Sequence, residues 1–151
     1  MTFDPRAAYR QGSSSSGSPV GLVVLLYEQA AKDVREALNA LRSGNIERRT
    51  FEINHALLVV GQLQATLDME RGGAVAMNLD RFYNQVRSRL LQAQILSSGT
   101  ILEEQMTLLL SLRETWQEVE RRTRETEFPK ANLAAEVPAA PPATASGNWR
   151  A

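Results

Sequence analysis

Cysteine is absent from the 151 residues, which excludes a disulfide framework, a thiolate zinc site and a cysteine nucleophile. A reducing compartment, the cytosol, is the default expectation. Histidine occurs once, at position 55, so chemistry that needs two imidazoles is excluded as well. Neither sign of charge is in excess: 17 Lys plus Arg balance 17 Asp plus Glu, and fifteen of the basic residues are Arg scattered among Glu. Such a chain projects no long-range field toward nucleic acid or an anionic membrane. Long apolar runs are missing too. The strongest, residues 20–27, falls far short of the ~20 residues that span a bilayer, and no N-terminal stretch has the build of a signal peptide. The expectation is a soluble, unprocessed, single-domain chain whose 43% hydrophobic residues suffice for a core.

Proline is also missing from the middle: the six fall at 5, 19, 129, 138, 141 and 142, so nothing between residues 20 and 128 forbids long helices. Glycine-containing breaks at 43–45, 72–73 and 97–100 divide that span into four segments of helical length. The first opens with Ser18 as N-cap and Pro19 at the first helical position, and Val23, Leu26, Ala30, Val34, Ala37 and Leu41 step by three or four. The second starts after Asn45 with Glu47 in its first turn, repeats through Ile53, Leu57, Val60 and Leu67, and carries Gly61 as a mark of close helix packing. The third carries Leu79, Phe82, Val86, Leu90 and Ala93. The fourth begins with "TILE", residues 100–103, as a capping box before Met106, Leu109, Leu112, Trp116 and Val119. No segment shows period-two alternation. The fold class is all-α, an antiparallel up-down four-helix bundle over residues 18–127. Residues 1–17 form a flexible N-terminal segment, with "GSSSSG" behind a turn or two of helix in "FDPRAAYR". Residues 128–151 form a Pro/Ala-rich tail that reads as disordered, with Trp149 incidental to it.

Catalysis would have to use His55. Glu52 and His55 fit one Glu-x-x-His motif of a di-iron bundle, but that site needs two such motifs and a second histidine does not exist. A phosphotransfer histidine is followed closely by Lys and Gly, whereas Ala56, Leu57, Leu58 and Val59 follow here. No paired carboxylates resemble a tuned acid/base couple, and "SSSSG" lacks the Lys-Ser/Thr ending of a phosphate loop. No enzyme, cofactor or metal is expected.

A bundle helix needs an apolar stripe about 100° wide, and several segments have more. Residues 20–30, "VGLVVLLYEQA", place Leu22, Val24 and Leu25 off the main stripe; Leu58 and Val59 lie off that of the second helix, and Leu108 and Leu110 off that of the fourth. The surplus predicts a groove covered by the chain's own N-terminal segment or by an apolar helix from a partner. On the residues alone, a phosphotransfer bundle and a self-associating structural bundle, a homodimer, stay open as alternatives.

The ordered motifs "DPRAAYR", "SPVGLVVLLYEQA", "GNIE", "LQATLDME", "MNLDRFYNQVRSRLLQAQ", "ILEE" and "LRETWQEV", from residue 4 to residue 119, resemble the flagellin-specific secretion chaperones called FliS. The resemblance implies a cytosolic helical bundle that binds the C-terminal region of flagellin, prevents premature filament polymerisation and keeps the subunit fit for the flagellar type III export gate. It implies no nucleotide or metal, no nucleic-acid partner and no membrane insertion. The residues assigned to flagellin contact are Leu22, Leu25 and Tyr27 of the first helix, Leu58 and Val59 of the second, and Asn78, Leu79 and Tyr83 of the third. The family's N-terminal Tyr-x-x-Tyr pattern, associated with a lid over the groove, appears here with Arg6 in place of the first tyrosine and Tyr9 as the second. Trp116 is assigned to the core.

Overall fold

The structure, a computed structural model, describes residues 5–9 and 19–127. Helix α1, Pro19–Arg42, starts on a proline whose missing N–H sacrifices no helical bond. Helix α2, Ile46–Ala65, follows Asn45, whose side chain accepts the Arg48 N–H at 3.0 Å. Helix α3, Met69–Leu96, is capped in the same way by Asp68, which accepts the Arg71 N–H at 3.0 Å. Helix α4 runs Gly99–Glu127.

Contacts between helices run in opposite order along the two partners. Arg49 near the start of α2 reaches Gln94 and Ser97 at the end of α3, while Gln64 near the end of α2 reaches Asp80. Arg42 at the end of α1 meets Glu103, and Glu28 further back meets Arg113. With two- and three-residue connections, this is the up-down-up-down antiparallel four-helix bundle that the spacing predicts. Its core includes Val34, Ile53, Val60, Leu63, Val86, Leu90, Leu102 and Leu109, each below 2% exposure. Among the described residues, those up to Val119 form one compact unit and those from Glu120 on belong to another. Within the latter the described residues carry local pairs, Glu120 with Arg124 and Arg121 with Glu125.

Two helix boundaries differ from the sequence expectation. The second helix was expected to continue through "LQATLDME", yet α2 stops at Ala65, where the Thr66 hydroxyl donates back to the Gln62 and Leu63 carbonyls. The glycine pair then falls inside α3: Gly73, at φ 52° and ψ −127°, separates a first turn at 69–72 from the rest. In α4 the cap is Ser98, whose hydroxyl accepts the Ile101 N–H at 3.2 Å, so "TILE" lies within the helix and does not start it. Val24 and Val59, placed off the core stripes, are buried; each helix touches more than one neighbour, so its covered arc is wider than a single stripe. At Gly61 an added methyl would meet nothing nearer than Arg87 at 3.9 Å, so no close helix approach is built there. The readings of Ser18, the "GSSSSG" joint and the tail with Trp149 lie outside the described residues.

His55 ties α1 to α2. Its Nδ1 lies 2.5 Å from the carboxylate of Asp33, which is buried and also accepts from Gln29 at 2.8 Å. Its ring stacks on Phe51. Among the described residues no helix is long and apolar enough to cross a membrane.

The packing sets a contrast within α2. Leu63→Ala empties a fully buried site and is expected to cost about 2–5 kcal/mol, whereas Leu58→Ala, at a position 69% exposed, should stay within about 0.5 kcal/mol of the parent in urea unfolding. Equal losses would contradict this assignment of core and surface.

Candidate partner-binding site

The N-terminal segment is seated where α2 gives way to α3. Residues Pro5–Ala8 make one 3₁₀ turn, closed by the Tyr9 N–H on the Arg6 carbonyl at 3.3 Å. The Ala8 carbonyl accepts the Asp68 N–H at 2.6 Å, and Tyr9 pairs with Leu67 as an isolated antiparallel bridge. One of the free N–H groups at the start of α3 thereby finds its partner in the incoming chain. Gly72 makes the approach feasible: a β-carbon there would lie 2.8 Å from the Ala8 Cα and 2.6 Å from the Ala76 methyl.

The segment drives one large side chain into the bundle. Tyr9 is 3% exposed and its ring meets that of Trp116 edge-on, with centroids 5.3 Å apart and planes at 73°. Its hydroxyl bonds that of Tyr83, which in turn lies 2.7 Å from the hydroxyl of Tyr27. The sequence has three tyrosines, and all three meet at this point. Buried hydroxyls need partners, and here three side chains from the N-terminal segment, α1 and α3 supply one another.

Burial also fixes their protonation. Removal from water pushes the Tyr27 phenol up to about 12, and it pushes Tyr9 and Tyr83 further in the same direction, helped by the other phenols nearby. The hydroxyls therefore act as neutral hydrogen-bonding groups throughout the physiological range.

The residues assigned to partner contact divide three ways. Leu22, Leu25, Leu58 and Asn78 are exposed, the three leucines at 55%, 61% and 69%. Leu79 is partly buried against the core. Tyr27, Val59 and Tyr83 are buried, and the structure joins Tyr27 to Tyr83 by a hydrogen bond. Asn78 instead accepts from Arg81 at 3.3 Å. Sequence reasoning missed that Trp116 packs on Tyr9, and it missed the exposed Phe51, at 61%. Phe51 had a legible signal, since it shares a helical face with Leu58 seven residues on. The tyrosine cluster had none beyond the scarcity of the residue, because its members come from distant segments.

Comparison with known proteins places this geometry. Residues 2–123 match the family model described as flagellar protein FliS. The flagellar secretion chaperone FliSB of Pseudomonas aeruginosa is 32% identical over 102 residues, 68% of this chain and 81% of the relative. The flagellar secretion chaperone FliS of Salmonella typhimurium is 30% identical over 105 residues, 69% of this chain and 78% of the relative. That of Bacillus subtilis is 24% identical over 131 residues, 87% of this chain and 97% of the relative. The class is thus a helical-bundle chaperone of flagellar export, and not an enzyme family. Within it, the chain belongs to the FliS family.

The raised phenols give a pH prediction. Their folded values lie above the ordinary 10.0, so the stability that their burial supports is fully present below pH 10 and is lost as pH rises from there toward about 12. Because no other tyrosine exists, tyrosinate absorbance reports on this cluster alone. Ionisation is expected only above pH 10 and together with loss of far-ultraviolet helix signal. Titration at the ordinary value with the helices intact would contradict the buried cluster.

Proposed function

We propose that this chain is a flagellin export chaperone. In the cytosol it binds the C-terminal helical region of newly made flagellin, prevents premature polymerisation and delivers the subunit to the flagellar type III export apparatus. The observation that carries the reading is the surplus of exposed apolar side chains on a chain of this family, led by Leu22 and Leu25 on α1 and Leu58 on α2. Three leucines left more than half exposed on a bundle whose core is otherwise filled are suited to an amphipathic helix that arrives unfolded and orders on the surface. Affinity then comes from apolar burial, and the ordering cost keeps release feasible. The names of the relatives, secretion chaperones of the flagellum, support the same conclusion.

The seat of residues 5–9 supports a lid. A segment held by one backbone bridge, of which the Ala8–Asp68 bond is part, and by one tyrosine ring is a small element to displace, and it covers Tyr27 and Tyr83, two of the residues assigned to flagellin. Flagellin and the N-terminus would then compete, and the closed population lowers the apparent affinity in proportion to the fraction open. His55, bonded to the buried Asp33 carboxylate, serves packing between α1 and α2 in this reading.

Calorimetric titration with a C-terminal flagellin fragment tests the function. Saturable binding is expected, and Leu25→Asp together with Leu58→Asp should leave helix content unchanged while weakening binding about tenfold or more. A folded chain with no saturable binding would sink the proposal. Removing residues 1–17 should raise the affinity at unchanged helix content; an unchanged affinity would remove the lid and leave the chaperone.

A further inference from the structure

The seat of Tyr9 is not simply apolar. Its wall is: the Trp116 ring lies edge-on to Tyr9. Its floor is a hydroxyl. Tyr83 is fully buried, and its hydroxyl is bonded on one side by Tyr27 and on the other by Tyr9. When Tyr9 leaves, Tyr27 still satisfies one side, while the other loses its partner. A hydroxyl has one proton to donate and two lone pairs to fill, and the buried environment penalises each vacancy.

This limits what can replace Tyr9. An aliphatic side chain would fill the volume and cover the Tyr83 hydroxyl without bonding it, which carries the desolvation penalty in full. A carboxylate or ammonium would bring a charge into a site whose floor consists of neutral phenols, at a larger penalty. A side chain with an apolar body and a neutral polar end meets both demands, and an aromatic body also reproduces the edge-on contact with Trp116.

We propose that the space filled by Tyr9 is a selective subsite for a neutral, polar-tipped side chain of the incoming flagellin segment, Tyr first and Asn or Gln next, whose end is read by the Tyr83 hydroxyl backed by Tyr27. The inference rests on the reading that flagellin displaces the N-terminal segment. It assigns Tyr83 to specificity, and it makes the Tyr9 side chain a stand-in for a flagellin side chain.

Two full-length single-atom variants separate this subsite from an indifferent apolar hole. In Tyr9→Phe the lid loses its bond to Tyr83 and the partner keeps its own, so binding of the flagellin C-terminal fragment should tighten, by about three- to tenfold for one hydrogen bond. In Tyr83→Phe lid and partner both lose the bond, so the apparent affinity should stay within about twofold of the parent, the two losses offsetting each other. If the partner makes no polar contact here, Tyr83→Phe weakens the lid alone and must tighten binding as much as Tyr9→Phe does; that result, or an unchanged affinity in Tyr9→Phe, overturns the proposal. Failure of the parent chain to bind at all is distinguishable, because it rejects the chaperone reading and this subsite with it. Should Tyr83→Phe lose helix content, the question is put from the other side in the parent chain. At least one Tyr→Phe, Asn→Leu or Gln→Leu change in the fragment should weaken binding about three- to tenfold, and indifference to all of them overturns the subsite.

Discussion

A hydroxyl buried among apolar side chains must find a partner, and in this bundle the partner of Tyr83 comes partly from another segment of the chain. That requirement joins the N-terminal segment to the helices. Tyr27 on α1 and Tyr83 on α3 hold each other, the ring of Trp116 on α4 packs edge-on to that of Tyr9, and the remaining bonding capacity of Tyr83 draws in Tyr9. The rest of the seat follows from this one anchor. Gly72 lacks a side chain where the Ala8 backbone passes, Gly73 turns the first four residues of α3 away from its axis, and the Asp68 N–H meets the Ala8 carbonyl. An all-hydrophobic interior would pack as tightly, but it would have no means of preferring one inserted side chain over another of the same shape.

Two kinds of apolar surface therefore serve different purposes in the same chain. Leu22, Leu25 and Leu58 face outward whether or not the N-terminal segment is seated, and they suit any amphipathic helix of adequate length. The Tyr9 seat is covered, shaped and polar at its floor. In the proposed chaperone the first kind supplies affinity for a segment that is disordered until bound, and the second supplies discrimination and a competitor for release. Both fit the proposed role, in which the partner is held in the cytosol and given up at the export gate.

Much of the bundle was legible from local signals. The proline-free middle, the steps of three and four, and the glycine-containing break at 43–45 placed the helices, because those features act within one or two turns. Boundaries failed where a side chain competed with the helix. Thr66 ended α2 early by bonding backward, Asp68 restarted the chain as a cap, and Ser98 took the cap expected of Thr100. Burial failed at Val24 and Val59 because a stripe drawn for one neighbour underestimates the arc covered by several. In the site, the exposed leucines were readable as surplus. The tyrosine cluster was not: positions 9, 27 and 83 carry no mutual spacing, and only the packing of α1 alongside α3, with the N-terminus folded across, gives them one.

Competition between the N-terminal segment and flagellin is read most directly at a single backbone group. In the free chain the Asp68 N–H is bonded to the Ala8 carbonyl, so it should resist hydrogen exchange there. Saturation of the full-length chain with the flagellin C-terminal fragment is expected to speed exchange at Asp68 while the α1 and α2 amides stay protected. An Asp68 amide that remains as protected with the fragment bound as without it would mean that the N-terminal segment keeps its seat, and would contradict the proposed competition between that segment and flagellin.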